Sequence, residues 1–306
     1  MRTVKLGRSN LDVPAVGIGC MRLNSLDLKQ AECFVKSALD MGFSFFDHAD
    51  IYGDGTCEEI FANAVGMNST VREKLIIQSK CGIVPGVMYD FSKEHILKSV
   101  DGSLKRLKTD YLDVLLLHRP DALVEPDEVA DAFDTLYKSG KVRLFGVSNH
   151  KPMQIELLKK HLNQDIVANQ LQLSITNSQM IRNGLEVNMF TEGSLDRDGS
   201  VLDYCRLNDI TIQTWSPFQY GFFEGVFLNN DRFQNLNNVI NALCEKYCCS
   251  NTAIATAWIL RHPANMQMIS GTTNVDRLKE IFSATDISLT KEEWYKIYLS
   301  AGNTLP

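Results

Sequence analysis

The chain predicts an α/β protein, a closed (β/α)8 (TIM) barrel formed as a single domain over residues 1–306, with a short N-terminal β-hairpin closing its floor. Three observations predict it. Apolar runs and amphipathic helical patterns alternate along almost the whole chain. The apolar runs are continuous, as expected of strands covered on both faces. Seven of them deliver a polar or aromatic residue at the carboxyl edge. Alternation implies parallel pairing, because each return crossover needs a helix. An open doubly wound sheet concentrates ligand contacts near one switch point, whereas a barrel gathers all strand ends around one mouth. Seven decorated edges favour the barrel.

The elements follow in order. Residues 3–6 turn through Gly7-Arg8-Ser9-Asn10 towards residues 11–13 and form the hairpin. Residues 15–18 are the first strand. Residues 28–41 place Ala31, Phe34, Val35, Ala38 and Leu39 on one helical face. The run 43–46 ends in Asp47, and 75–77 leads into Gln78-Ser79-Lys80. The run 114–117 ends in His118, 144–147 in Ser148-Asn149, and 166–168 in Asn169-Gln170. The run 210–214 ends in Trp215-Ser216, and 266–269 in Ser270-Gly271-Thr272. Helical spacing recurs over 95–107, 129–138, 152–161, 199–207, 236–247 and 275–282. Residues 174–198 have no clear period and exceed most βα loops in length, and they receive no chemical role.

Composition narrows the function. Of 306 residues 44% are hydrophobic and 22% charged, which excludes disordered and low-complexity classes. The net charge is −6 with no basic run, so nucleic acid is not an expected partner. No stretch approaches the ~20 apolar residues of a membrane span. The amino terminus lacks the apolar core of a signal peptide, so a cytoplasmic protein is expected, with no membrane and no obligatory protein partner. The eight cysteines lack metal-ligand spacing and are expected to be free thiols, with no metal bound.

Asp47, Lys80 and His118 stand at three successive strand ends, with Tyr52 five residues beyond the Asp. A free phenol titrates near 10 and transfers protons poorly at neutral pH. An ammonium beside it favours the phenolate, and an aspartate paired with the lysine holds that ammonium in place. Tyr52 is then a tuned general acid, and His118 a hydrogen-bond donor to a substrate oxygen.

These residues carry a resemblance to the aldo-keto reductase family, in particular to its bacterial-type NADP-dependent oxidoreductases. Asp47-His48-Ala49-Asp50-Ile51-Tyr52-Gly53 is similar to the family segment D-x-A-x-x-Y-G. Lys80 and His118 stand where its Lys and His stand. The resemblance extends through Gly146-Val147-Ser148-Asn149, Asn169-Gln170, Trp215-Ser216-Pro217 and Gly271-Thr272 to Arg277-Leu278. It implies a carbonyl reductase of the alcohol dehydrogenase type, reducing an aldehyde or ketone to an alcohol with hydride from NADPH. Tyr52 then donates the proton, Lys80 and Asp47 tune it, and His118 orients the carbonyl. Ser148, Asn149 and Gln170 are implied to hold the nicotinamide carboxamide, and Trp215 to stack on its ring. Ser216, Pro217 and Phe218 are implied to follow the pyrophosphate, and Gly271, Thr272 and Arg277 to surround the adenosine end. Arg277 matches a 2′-phosphate. Gly271 stands where many relatives place a basic residue, so NAD(H) is a second candidate beside NADP(H).

Cys20, Met21 and His48 are expected in the substrate pocket with the loop 81–91 and residues 218–223, His48 having packing as its alternative role. These apolar and aromatic walls suggest substrates with an apolar group rather than phosphorylated sugars. Two other readings stand beside the reductase. One is a nicotinamide-binding regulatory subunit with little or no catalysis. The other is a (β/α)8 lyase using Lys80 as a Schiff-base amine.

Overall fold

The computed structural model describes residues 2–264 and 266–305; Met1, Asn265 and Pro306 lie outside the described residues. The hairpin pairs β1 (Thr3–Lys5) with β2 (Asp12–Pro14) antiparallel, Val4 opposite Val13. Eight parallel strands follow: β3 (Val16–Gly19), β4 (Phe45–Asp47), β5 (Ile76–Cys81), β6 (Leu112–Leu117), β7 (Val142–Ser148), β8 (Ile166–Gln172), β9 (Thr211–Trp215) and β10 (Gln267–Ser270). They pair in chain order, and β10 returns to β3 with Met268 opposite Val16, which closes the barrel. Each expected strand is present. Several extend past the apolar run, so Lys80 and Gln170 lie inside strands rather than after them.

The connecting helices are α1 (Leu28–Asp40), α2 (Thr56–Val65), α3 (Lys93–Leu107), α4 (Pro126–Lys138), α5 (Pro152–Lys159), α6 (Val201–Leu207), α7 (Asn251–Leu260) and α8 (Val275–Ser283). Asp27 and Gln30 form a capping box at α1, and Ser92 and Asn274 cap α3 and α8, so donors the helix cannot satisfy are bonded. Further helices, Gln234–Tyr247 and Lys291–Ser300, enclose α7. Helix α7 has no amphipathic signature because Thr252 to Leu260 are all buried. Trp258 of α7 stacks on Trp294 at 4.9 Å, and each indole N–H donates to the other residue's carbonyl.

The hairpin seals the floor as expected. Val4, Leu6 and Val13 are buried. Gly7 N–H donates to Thr211 Oγ1 at the start of β9. Gly7 (φ +58°) lies so close to Val167 that a Cβ would collide with its backbone. The segment 174–198 folds around a buried carboxylate: Glu186 accepts from Arg182 Nε at 2.9 Å and from the Thr191 hydroxyl. A side chain on Gly193 would run into that carboxylate.

Strand alternation decides what reaches the barrel axis. Phe45 and Asp47 point inward, and Gly17 leaves room for the Phe45 ring, 2.8 Å from where its Cβ would lie. Phe46 and His48 point outward onto Phe61 of α2, each at 4.7 Å between ring centroids.

Candidate active site

The carboxyl ends of the strands surround a cavity of about 580 Å³. Asp47, Tyr52 and His118 line it, and Lys80 lies buried behind them. Lys80 Nζ donates to Asp47 Oδ2 at 2.7 Å, to the His48 carbonyl at 2.8 Å and to the Tyr52 hydroxyl at 3.2 Å. All three ammonium hydrogens are therefore engaged. The Tyr52 and His118 rings meet edge-on at 6.0 Å, and both residues line the cavity.

A column of amides supports Asp47 from below. Gln78 Nε2 donates to Asp47 Oδ1 at 2.6 Å and to Gln213 Oε1 at 2.9 Å. Gln213 Nε2 donates to Gln78 Oε1 at 3.0 Å and to Gln267 Oε1 at 2.8 Å. Gln267 Nε2 ends the column on the Pro14 carbonyl at 2.9 Å. Gln170 Nε2 adds a second donor to Asp47 Oδ1 at 3.1 Å. Buried polar groups that are fully bonded hold one geometry, and this column fixes the carboxylate.

Burial alone disfavours the charge on Lys80, but Asp47 and Tyr52 outweigh it and the pKa rises. For Tyr52 the balance differs from the expectation of a favoured phenolate. Burial pushes the phenol above its ordinary value and Asp47 adds to this, while Lys80 opposes without prevailing. The hydroxyl stays protonated at neutral pH. Burial, helped by Lys80 and Arg119, holds His118 well below the ordinary imidazole range, so it is neutral.

The residues expected around a nicotinamide dinucleotide all line the cavity. Ser148, Asn149 and Gln170 form one wall: Asn149 Nδ2 donates to Ser148 Oγ at 2.7 Å, and Ser148 Oγ donates to the Gln170 carbonyl at 3.0 Å. Trp215 Nε1 donates to Asn149 Oδ1 at 3.2 Å, and its ring stacks on Phe223 at 5.9 Å. Ser216, Pro217 and Phe218 continue this wall, and Gly271, Thr272 and Arg277 complete the lining. A Cβ on Gly271 would meet nothing within 4 Å, so this part of the lining faces open space. An aromatic platform, amide donors and acceptors, and guanidinium groups in one cavity fit a dinucleotide's base, carboxamide and phosphates.

The substrate-pocket expectation needs correction. Met21 lines the cavity, but Cys20 and His48 do not. Both are fully buried, because alternation turns the neighbour of an inward residue towards the helices. Burial lowers the His48 imidazole to about 3, and both its ring nitrogens lack partners among the described residues. The walls are also less apolar than expected, since Arg22 and Arg119 line the cavity too. Sequence reasoning missed these two and the glutamine column. Period-two spacing from Lys80 to Gln78 and from Trp215 to Gln213 marks the column; no periodic signal marks the arginines.

Asp50, between Asp47 and Tyr52 in the chain, carries a cost in stability. Burial raises its carboxyl from 3.8 to about 6, and Oδ1 has no partner among the described residues. A folded pKa above the unfolded one means the folded state loses stability as pH rises between the two, and the deficit persists at neutral pH. Asp50→Asn is expected to raise unfolding free energy by about 3 kcal/mol at pH 8 and by roughly half that at pH 5. Urea unfolding at the two pH values measures it, and an equal gain at both contradicts the assignment.

The comparisons agree with this geometry. The model of the Aldo/keto reductase family matches residues 15–298. An uncharacterized oxidoreductase of Bacillus subtilis, YcsN, is 35% identical over 293 residues, 92% of this chain and 91% of that protein. A 6-dehydroglucose reductase of Novosphingobium aromaticivorans is 32% identical, covering 99% of this chain and 96% of its own. The crystal structure of the thermostable aldo-keto reductase Tm1743 with the inhibitor epalrestat superposes with a TM-score of 0.76 at 25% identity, covering 98% of this chain and all of that one. A closed barrel with Asp47, Tyr52, Lys80 and His118 grouped at its mouth, and a family match over nearly its full length, make this chain a member of the aldo/keto reductase family.

Proposed function

We propose that the protein is an NADP-dependent carbonyl reductase whose single domain, residues 1–306, reduces an aldehyde or ketone to an alcohol. The observation that carries this reading is the Lys80 ammonium held between the Asp47 carboxylate and the Tyr52 hydroxyl at the cavity. Reduced nicotinamide, when bound, supplies the hydride for the carbonyl carbon. Tyr52 donates the proton to the carbonyl oxygen, for which its protonated state at neutral pH suits it. His118, neutral and with Nδ1 buried, offers Nε2 to the same oxygen and sets its direction. Lys80 stabilises the phenolate left behind, and Asp47 with its amide donors keeps Lys80 charged and in place.

Ser148, Asn149 and Gln170 would hold the carboxamide, Trp215 the ring, Ser216 to Phe218 the diphosphate, and Arg277 a 2′-phosphate. A Schiff-base role for Lys80 has little support, because an amine nucleophile needs a free, deprotonated nitrogen and this one is charged and saturated with acceptors.

Fluorescence titration with NADPH and NADH tests the reading. Trp258 and Trp294 are stacked on each other, so Trp215 should dominate the response. NADPH is expected to quench the emission strongly, and Trp215→Phe to abolish most of the quenching. Arg277→Leu should weaken NADPH binding about tenfold and NADH binding far less. Absence of quenching by either nucleotide overturns the proposal.

A further inference from the structure

Arg119 follows His118 at the carboxyl edge of β6, and its half-buried side chain lines the cavity. The guanidinium carbon lies 5.9 Å from the Trp215 ring centroid. The titratable groups that act on it are the phenols of Tyr89 and Tyr52; no carboxylate pairs with it among the described residues. Other guanidinium groups withdrawn from water in this protein are paired. Arg72 holds Asp113 at 2.7 Å, and Arg106 holds Glu58 at 2.8 Å. The cavity's one lining carboxylate, Asp47, is already taken by Lys80.

A partly desolvated guanidinium without a counter-charge is costly to maintain, and it gains most from a planar oxyanion that it can grip with two hydrogen bonds. Its place in the chain decides whose oxyanion this is. Arg119 adjoins the imidazole that addresses the reacting carbonyl, and it shares the space beside Tyr52 and Trp215. Of the cavity's two other guanidinium groups, Arg22 and Arg277, the latter shares the lining with Gly271 and Thr272 and is the one assigned above to the cofactor.

We propose that Arg119 receives an oxyanion carried by the substrate, so that the protein acts on aldehydes or ketones bearing a carboxylate or a phosphate ester. This rests on the reductase reading and adds the substrate class to it. The guanidinium holds the charged end while Tyr52 and His118 hold the carbonyl, and the aromatic walls cover the carbon chain between them. Anchoring both ends limits the rotation of a flexible substrate and presents one orientation of the carbonyl.

Two matched pairs test the proposal: 4-oxobutanoate against butanal, and glyceraldehyde 3-phosphate against glyceraldehyde. In each pair that fits, the anionic member should have a kcat/KM higher by about 10- to 100-fold, chiefly through KM. The pair showing the preference identifies the oxyanion as carboxylate or phosphate. Arg119→Met should collapse that ratio towards one, and Arg119→Lys should keep part of it, because an ammonium retains the charge but not the fork. Equal kcat/KM within both pairs overturns the proposal and leaves the reductase reading standing. So does a preference that survives Arg119→Met, or a weakening of NADPH binding in that variant with selectivity unchanged, which would assign the guanidinium to the cofactor. Succinate and inorganic phosphate, titrated by calorimetry into the NADPH-saturated protein, report the anion site without turnover. Binding of either that is lost in Arg119→Met supports the site even if none of the four aldehydes is reduced. Binding of neither overturns it.

Discussion

Tyr52→Phe is expected to lower kcat for a good aldehyde by about 10³-fold while the dissociation constant for NADPH changes little. The substitution removes one oxygen, the only atom of Tyr52 bonded to Lys80, and leaves the ring against His118. The wild-type pH profile should carry the same signature. The Tyr52 phenol is raised above its ordinary value, so the acid form persists through neutral pH, and reduction should stay flat there and fall only in alkaline solution. Oxidation of an alcohol needs the phenolate as base, and its rate should rise with pH over the same range. His118, held far below the usual imidazole range, adds no break near pH 6.5. Steady-state rates in both directions between pH 6 and pH 10 measure all of this. Undiminished turnover in the Phe variant would remove the proton donor from the mechanism.

Lys80→Met should damage stability and catalysis together, for separable reasons. Loss of the ammonium leaves Asp47 charged and buried, with only the amides of Gln78 and Gln170 to oppose it. Breaking a buried pair from one side costs about 3–5 kcal/mol, because the remaining charge is uncompensated. Removing the second charge in Lys80→Met/Asp47→Asn should recover much of that stability. It should recover none of the activity, since nothing then stabilises the phenolate. Chemical denaturation and kcat, measured on both variants, distinguish the two effects. A Lys80→Met protein as stable as the parent would mean that Asp47 is not held as a carboxylate against this ammonium.

What was legible in the sequence follows from how the barrel exposes its chemistry. A strand covered on both faces is a continuous apolar run, so the polar residue that ends it stands out; Asp47, His118, Ser148 and Trp215 were found in this way. The neighbours of such residues are a different matter. Proximity along a strand puts alternate side chains on opposite faces, which is why His48 and Cys20 lie in the layer between strands and helices instead of the cavity. The same rule, applied at a spacing of two, points from Lys80 to Gln78. Helix α7 was missed because it is apolar on every side and a moment-based pattern needs contrast. Arg119 stayed hidden because a single charge after a strand end reads as a solvated loop until the geometry shows it facing a cavity without a partner.

The amide column bears on where the proton of the proposed mechanism comes from. It ends on an acceptor at both extremities, the Asp47 carboxylate above and the Pro14 carbonyl below, and the amide hydrogens of Gln78 and Gln213 are all committed within it. The members of this chain bond directly to one another with no hydroxyl between them, and a carboxamide does not readily give up a proton. It acts as an insulator between the sealed floor and the reacting end. If Tyr52 is the proton donor proposed above, it is replenished from the cavity side, through the same opening by which the alcohol departs.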